Sequence, residues 1–286
     1  VLTCCGLYHI LAAVLAEIVI KDPKELQLQR EEELARGDAW LKSLTPDDIE
    51  NALLSEQYFI MLDNKTPTGY VVILQKMVED DRARGASIRV VALLDTEGQE
   101  IQSKSHFFVS ENLKDEYWST EVSIRSTGRA RGNIGNATKN LPDTIWRESG
   151  ERAELDGKTL IRVKRDTPAG QQLVDGPMPP KGYISQAETY LLDRLLPHDV
   201  ATTYGFIAYS GNTGRMSMRT EEVKPTDNGT LVITTTAQGQ TPQVSVFDKF
   251  GSLVQRTLPT GHVLRPSSAG ELKKTWPERF TAPVEE

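Results

Sequence analysis

Residues able to do chemistry are scarce in this chain of 286 residues, and their spacing selects no reaction. The histidines are His9, His106, His198 and His262. No two of them stand at helix-face spacing, and a metal needs two or three converging ligands, so each reads as an ordinary surface or core histidine. Both cysteines, Cys4 and Cys5, sit at the N-terminal end. The rest of the chain has no thiol, which excludes a cysteine nucleophile, a thiolate zinc site and a disulfide framework from the folded body. The stretch Gly128-Arg-Ala-Arg-Gly132-Asn-Ile-Gly135 lacks the Gly-Lys-Ser/Thr ending of a phosphate loop and the glycine spacing of a dinucleotide turn, so it reads as a loop. No Gly-x-Ser-x-Gly elbow occurs. Glu79-Asp80-Asp81 reads as solvated charge. Two acids distant in sequence could still meet as a glycosidase pair, but nothing singles one out. The triplets at Asn64, Asn136 and Asn228 match a glycosylation pattern that arises often by chance. No catalytic residue, metal or cofactor is therefore expected.

With 38% apolar residues the chain can bury a sizeable core, and its net charge is −7. The densest basic stretch is Arg125, Arg129 and Arg131 in a Gly-rich loop. A basic face with interleaved aromatics is missing, so nucleic acid is not an expected partner.

The elements that would position a site follow in order. Residues 1–20 are an apolar run in which Val14-Leu15-Ala16 resembles a signal-peptidase site. They are expected to be a signal peptide or an N-terminal anchor, the only membrane contact of an exported, periplasmic or envelope protein. A lipid-modified Cys4 or Cys5 and a core helix are the competing readings. Residues 21–55 form a helical lead-in, with Thr45-Pro46-Asp47-Asp48 as a helix start: hydroxyl cap, proline at the first position, acids at the positive end of the dipole.

Residues 56–166 read as a first antiparallel β segment. It opens on the hairpin Tyr58–Leu74, whose turn is read from Asp63, Asn64, Pro67 and Gly69 and whose strands are apolar on successive residues. Residues 167–286 hold a Pro/Gly-rich connector over Thr167–Lys181, a helix and a second β segment. Ser185-Gln-Ala-Glu188 is a capping box opening an amphipathic helix with Leu191, Leu192, Leu195 and Leu196, the best helix in the chain. The hairpin Tyr204–Arg219 echoes the first, which suggests duplication. The fold class is mainly β: an antiparallel curved sheet or half-barrel, with amphipathic helices packed on it.

The long aromatic-led hairpins, the Asp248-Lys-Phe-Gly251 turn and the mid-chain helix resemble exported bacterial β-rich proteins of unknown function. Those are similar to the carrier fold of the periplasmic lipoprotein localisation factors, in which a half-barrel wraps helices. The resemblance spans Tyr58 to Trp276. It implies a non-catalytic envelope protein that binds a hydrophobic or lipid-like ligand in the sheet. Tyr58, Ile60, Leu62, Tyr70, Val72, Tyr204, Phe206, Met216 and Met218 would line the concave surface, although core packing is the commoner role of such residues. The alternative is a structural or interaction module with an envelope partner. Asp63-x-x-x-Pro67-x-Gly69-Tyr70 resembles the entry of β domains that accompany transglutaminase-like peptidases, without that activity. A hydrolase with an unmarked acid pair stands third.

Overall fold

The computed structural model describes residues 22–96, 98–126, 144–179, 181–211 and 214–280. The expected leader and the loop carrying Arg129 and Arg131 lie outside them. Two helices come first, α1 (Pro23–Leu41) and α2 (Pro46–Ala52). Eight strands follow: β1 (Glu56–Asp63), β2 (Thr66–Glu79), β3 (Arg84–Thr96), β4 (Gln99–Ser110), β5 (Glu116–Ser126), β6 (Thr144–Leu155), β7 (Lys158–Thr167) and β8 (Gly170–Pro177). A short β9 (Tyr183–Ile184), a 3₁₀ turn (Glu188–Tyr190) and α3 (Leu192–Leu195) lead to β10 (Thr202–Ser210) and β11 (Arg215–Pro225). The chain closes with β12 (Leu231–Ala237), β13 (Gln243–Phe247), β14 (Leu253–Thr257), β15 (Val263–Pro266) and α4 (Ala269–Thr275).

Among the described residues all 15 strands belong to one curved, unclosed sheet, ordered β8 to β1, then β15 down to β9. Neighbours are antiparallel except β9, which runs parallel to β10. The two β segments are joined at the centre by β1 and β15, where Met61 faces Leu264. The β1–β2 hairpin lies beside that seam, whereas β10–β11 lies next to an edge, so the two similar hairpins occupy unlike places in the sheet.

Local chemistry explains the turns. Thr45 and Asp48 form a reciprocal capping box at the start of α2. The first hairpin turns on Asn64 and Lys65, both with positive φ. This is tighter than expected: Pro67 lies inside β2, opposite Leu62 and next to a bulge. Gly69 also lies within the strand. A Cβ there would sit 1.9 Å from the Leu93 carbonyl oxygen, so only glycine lets β2 and β3 approach this closely. Asp156-Gly157 supplies the expected pair of positive φ values between β6 and β7.

Two readings change. The expected connector is largely β8, paired with β7 from Leu160–Pro177 to Thr167–Gly170. Its glycines and prolines end a strand at the sheet edge, where proline is tolerated. The predicted best helix is only a 3₁₀ turn followed by the four-residue α3. The Ser185–Glu188 capping bonds do form, at 2.7 and 3.1 Å. The segment is held by the burial of Ala187, Glu188, Leu191, Leu192 and Leu196, not by helix length, and among the described residues the longest helix is α1.

The sheet rolls around that segment. Ile49, Phe59, Ile73, Ile88, Phe107, Trp118, Val163 and Leu191 form one buried cluster, and Ile184, Leu192, Phe206, Val223, Ile233 and Phe247 form a second. Together they fill the inner face. β10 lies inside the curl of the first strands, with Tyr209 5.4 Å from Trp118, ring to ring. On the outer face, α4 and the tail behind it cover β1–β3: Leu272, Trp276 and Phe280 pack on Ile60, Tyr70, Val72 and Leu93. The first hairpin is apolar on both faces because helical segments of the chain itself cover both. At the other edge, α1 caps the exposed start of β10, with Arg36 donating to the Thr203 carbonyl.

Candidate functional site

Charged groups on the inner face are tied into networks. Glu148 on β6 accepts from Arg165 Nε (2.8 Å), the Tyr209 hydroxyl (2.9 Å) and Trp118 Nε1 (3.3 Å), while Arg165 also reaches the Gly211 carbonyl. This network fastens β6 and β7 to β10. Deeper in, Glu116 on β5 accepts from the Tyr183 hydroxyl at 2.5 Å and lies 3.6 Å from Arg152. Burial pushes Glu116 up to about 7, the opposing pull of Arg152 and Tyr183 being smaller. Burial also raises Glu188 and Glu221 above the ordinary carboxylate range. Arg219 pairs with Glu221, and Arg256 with Asp193. Nearly every one of these groups has a protein partner, as buried charge requires.

The packed interior opens at one end into a cavity of about 330 Å³. Its walls come from distant parts of the chain: Leu54 after α2, Phe59 of β1, Ile73 of β2, Tyr190 of the inner segment, and Phe247 and Leu253 of the β13–β14 hairpin. At the lip, Phe250 is 80% exposed, and Arg194 is exposed with no ion-pair partner among the described residues. The site thus has one apolar wall, an aromatic lip and, among its polar groups, one cation without an ion-pair partner among the described residues. Polar groups share the lining: Glu56, Gln57, Gln75 and Ser267 also border it, as does the Asp193–Arg256 ion pair, so the recess is amphipathic, with its apolar side suited to a hydrocarbon chain. Among the described residues, no group of three or more His, Cys, Asp and Glu is placed to hold a metal ion.

The nine residues expected to line a concave surface do not come together. Tyr58, Ile60, Leu62, Tyr70 and Val72 point to the outer face under α4 and its tail. Their inner-face neighbours Phe59, Met61, Val71 and Ile73 are the ones that meet the core. Tyr204 and Phe206 pack against Trp40 of α1. Met218 pairs with Ile207 and Met216 with Tyr209, which places both methionines on the opposite face of the sheet from Phe206. The physical reason is the period of two. The apolar runs gave no parity, so inner and outer positions were read in reverse for the first hairpin and mixed for the second. Of the nine, only Tyr58 borders the cavity. The residues missed are Arg194, Phe250 and Leu253. The available signal was Phe250 itself, an aromatic at a turn position where polar residues are usual.

No protein-family model matches the chain, and no curated protein does either. Among solved structures it is similar to a β-barrel-like protein of a domain of unknown function, DUF1849, from Brucella abortus, with 13% identity, 74% of this chain and 94% of that chain covered, and a TM-score of 0.45.

Proposed function

We propose that the protein is a non-catalytic binding module of the cell envelope that takes the chain of a hydrophobic, lipid-like ligand into the end cavity of its rolled sheet. The observation that carries this reading is the cavity itself: a recess with an apolar side formed by Leu54, Phe59, Ile73, Tyr190, Phe247 and Leu253, opening beside an exposed Phe250 and an Arg194 without an ion-pair partner among the described residues. Eight methylenes removed from water there contribute about 6 kcal/mol at ~0.8 kcal/mol each. A carboxylate or phosphate head would meet Arg194 at the lip. The carrier reading of the sequence is thereby moved from the first hairpin to the end of the rolled sheet. The test is uptake of a fluorescent fatty acid by delipidated protein. Saturable binding is expected, and Ser252→Trp, at an exposed position on the lip, should block it without loss of folding. Absence of uptake by the native chain would refute the proposal.

A second reading, an interaction module with an envelope partner, is favoured by β8. This strand ends the sheet, and its Leu173 and Val174 are 63% and 39% exposed. Such an edge can accept a strand from another chain. Capture of a defined envelope protein that is lost in Leu173→Lys would support it.

A further inference from the structure

A second and larger cleft lies on the outer face, away from the end cavity. It has a volume of about 910 Å³, its floor is β3–β7, and Arg279 of the C-terminal tail forms one wall. Cross-strand register builds the floor. Arg89 faces His106, His106 faces Ser119, Ser119 faces Ser149 and Ser149 faces Lys164, one row across five strands. The next row runs Val91, Lys104, Glu121, Arg147 and Asp166. At ~4.8 Å between strands, Arg89 and Lys164 stand about 19 Å apart along the sheet.

The charges are unevenly committed. Arg147 is paired with Glu121 at 2.7 Å, and Arg279 with Asp95 and Glu100 at 3.0 and 3.2 Å. Arg89, Lys104 and Lys164 have no ion-pair partner among the described residues, although the whole chain carries a net charge of −7. Three free cations strung along a groove match an extended anion, whereas a single phosphate would want them converged. Nor is there a helix N-terminus or a nest of free amides in the floor, because the strand amides are used in the sheet. Nucleic acid would need open aromatic faces for stacking. Two rings line the cleft: Tyr70 is buried against Trp276 and Phe280, its hydroxyl donating to the Arg279 carbonyl, and the His106 imidazole is half-buried, edge-on to Tyr117 and hydrogen-bonded to Ser87. Between the cations stand acceptors and small polar groups: Glu121, Asp166, Ser119, Ser149 and Gln102. They suit a ligand that carries many hydroxyl donors as well as negative charge. An acidic peptide offers chiefly backbone amides, and a sheet face, unlike an edge, gives those no ladder to join.

We propose that this cleft binds an extended acidic oligosaccharide, its carboxylates on Arg89, Lys104 and Lys164 and its hydroxyls on Glu121, Asp166 and the serines. The site is independent of the end cavity, and so is its test. Calorimetric titration of the full chain with hexagalacturonate should show binding that weakens as salt is raised, as exposed charge pairing does. Lys104→Ala/Lys164→Ala should weaken it by about tenfold or more, equivalent to 1.4 kcal/mol or more, with an unchanged urea midpoint, and Arg89→Gln should weaken it as well. Ser252→Trp should leave it intact. Neutral maltohexaose should bind far more weakly. Absence of hexagalacturonate binding, or binding indifferent to the lysine pair, would overturn the site. Equal binding of hexaglutamate would overturn the saccharide assignment.

Discussion

Glu116 gives the sharpest quantitative prediction. Its carboxyl is 1% exposed on the inner face of β5 and shares the Arg152 guanidinium with the buried Glu188. Among the described residues one oxygen, Oε2, and Arg152 Nε have no hydrogen-bond partner, so the pair is incompletely compensated. Burial raises the Glu116 pKa from 4.5 to about 7. The folded chain therefore holds a proton that the unfolded chain has released, and linkage fixes the sign: stability falls as pH rises through this window. The contribution is fully present below the unfolded value of 4.5 and lost by the time pH has passed about 7. At 1.36 kcal/mol per unit, the loss is about 3 kcal/mol. Glu116→Gln keeps a neutral acceptor for the Tyr183 hydroxyl and has no proton to lose. Urea unfolding followed by tryptophan fluorescence at pH 5 and pH 8 should show the native chain losing about 3 kcal/mol more than the variant. His106 works in the opposite sense, since burial lowers its pKa, but it is common to both chains and cancels in the comparison. Identical pH dependence in the two proteins would refute the reasoning.

Other perturbations test the packing. Arg165→Ala leaves Glu148 buried without its cation and should cost about 3–5 kcal/mol in urea unfolding, with much of it restored when Glu148→Gln is added. Trp276→Ala removes the ring that covers Tyr70 on the outer face and should cost about 3–5 kcal/mol by the same assay. Gly69→Ala drives a methyl into the Leu93 carbonyl and should lose about 1–3 kcal/mol or more, seen as a lowered midpoint in thermal melts.

Much of the fold was legible where the chemistry is local. Thr45 to Asp48 named its own helix start, Asp156-Gly157 its own turn, and alternation along Trp118, Thr120 and Val122 its own strand. The failures arose where long-range contacts decide. Lys65 takes a positive φ that its type does not advertise, so Pro67 and Gly69 were assigned to the turn. Gly170 and Pro177 look like a linker until β7 pairs with the residues between them. Ser185–Glu188 announced a helix whose length is set by the walls around it.

The candidate site was less legible than the fold. Two-sided apolarity in Tyr58–Leu74 correctly required a cover on each face, but sequence could not say that α4 supplies one and the inner segment the other. The end cavity joins Leu54, Ile73, Tyr190 and Leu253, and the outer cleft aligns Arg89 with Lys164. Neither grouping exists until the register is fixed.

The central claim, a lipid-like ligand in the end cavity, is tested most directly by methyl NMR during titration with a long-chain fatty acid. The account predicts saturable shifts confined to Leu54, Ile73 and Leu253 around the cavity, with the Leu93 and Leu272 methyls under α4 unmoved. Shifts centred on the outer face, or none at saturating ligand, would contradict it.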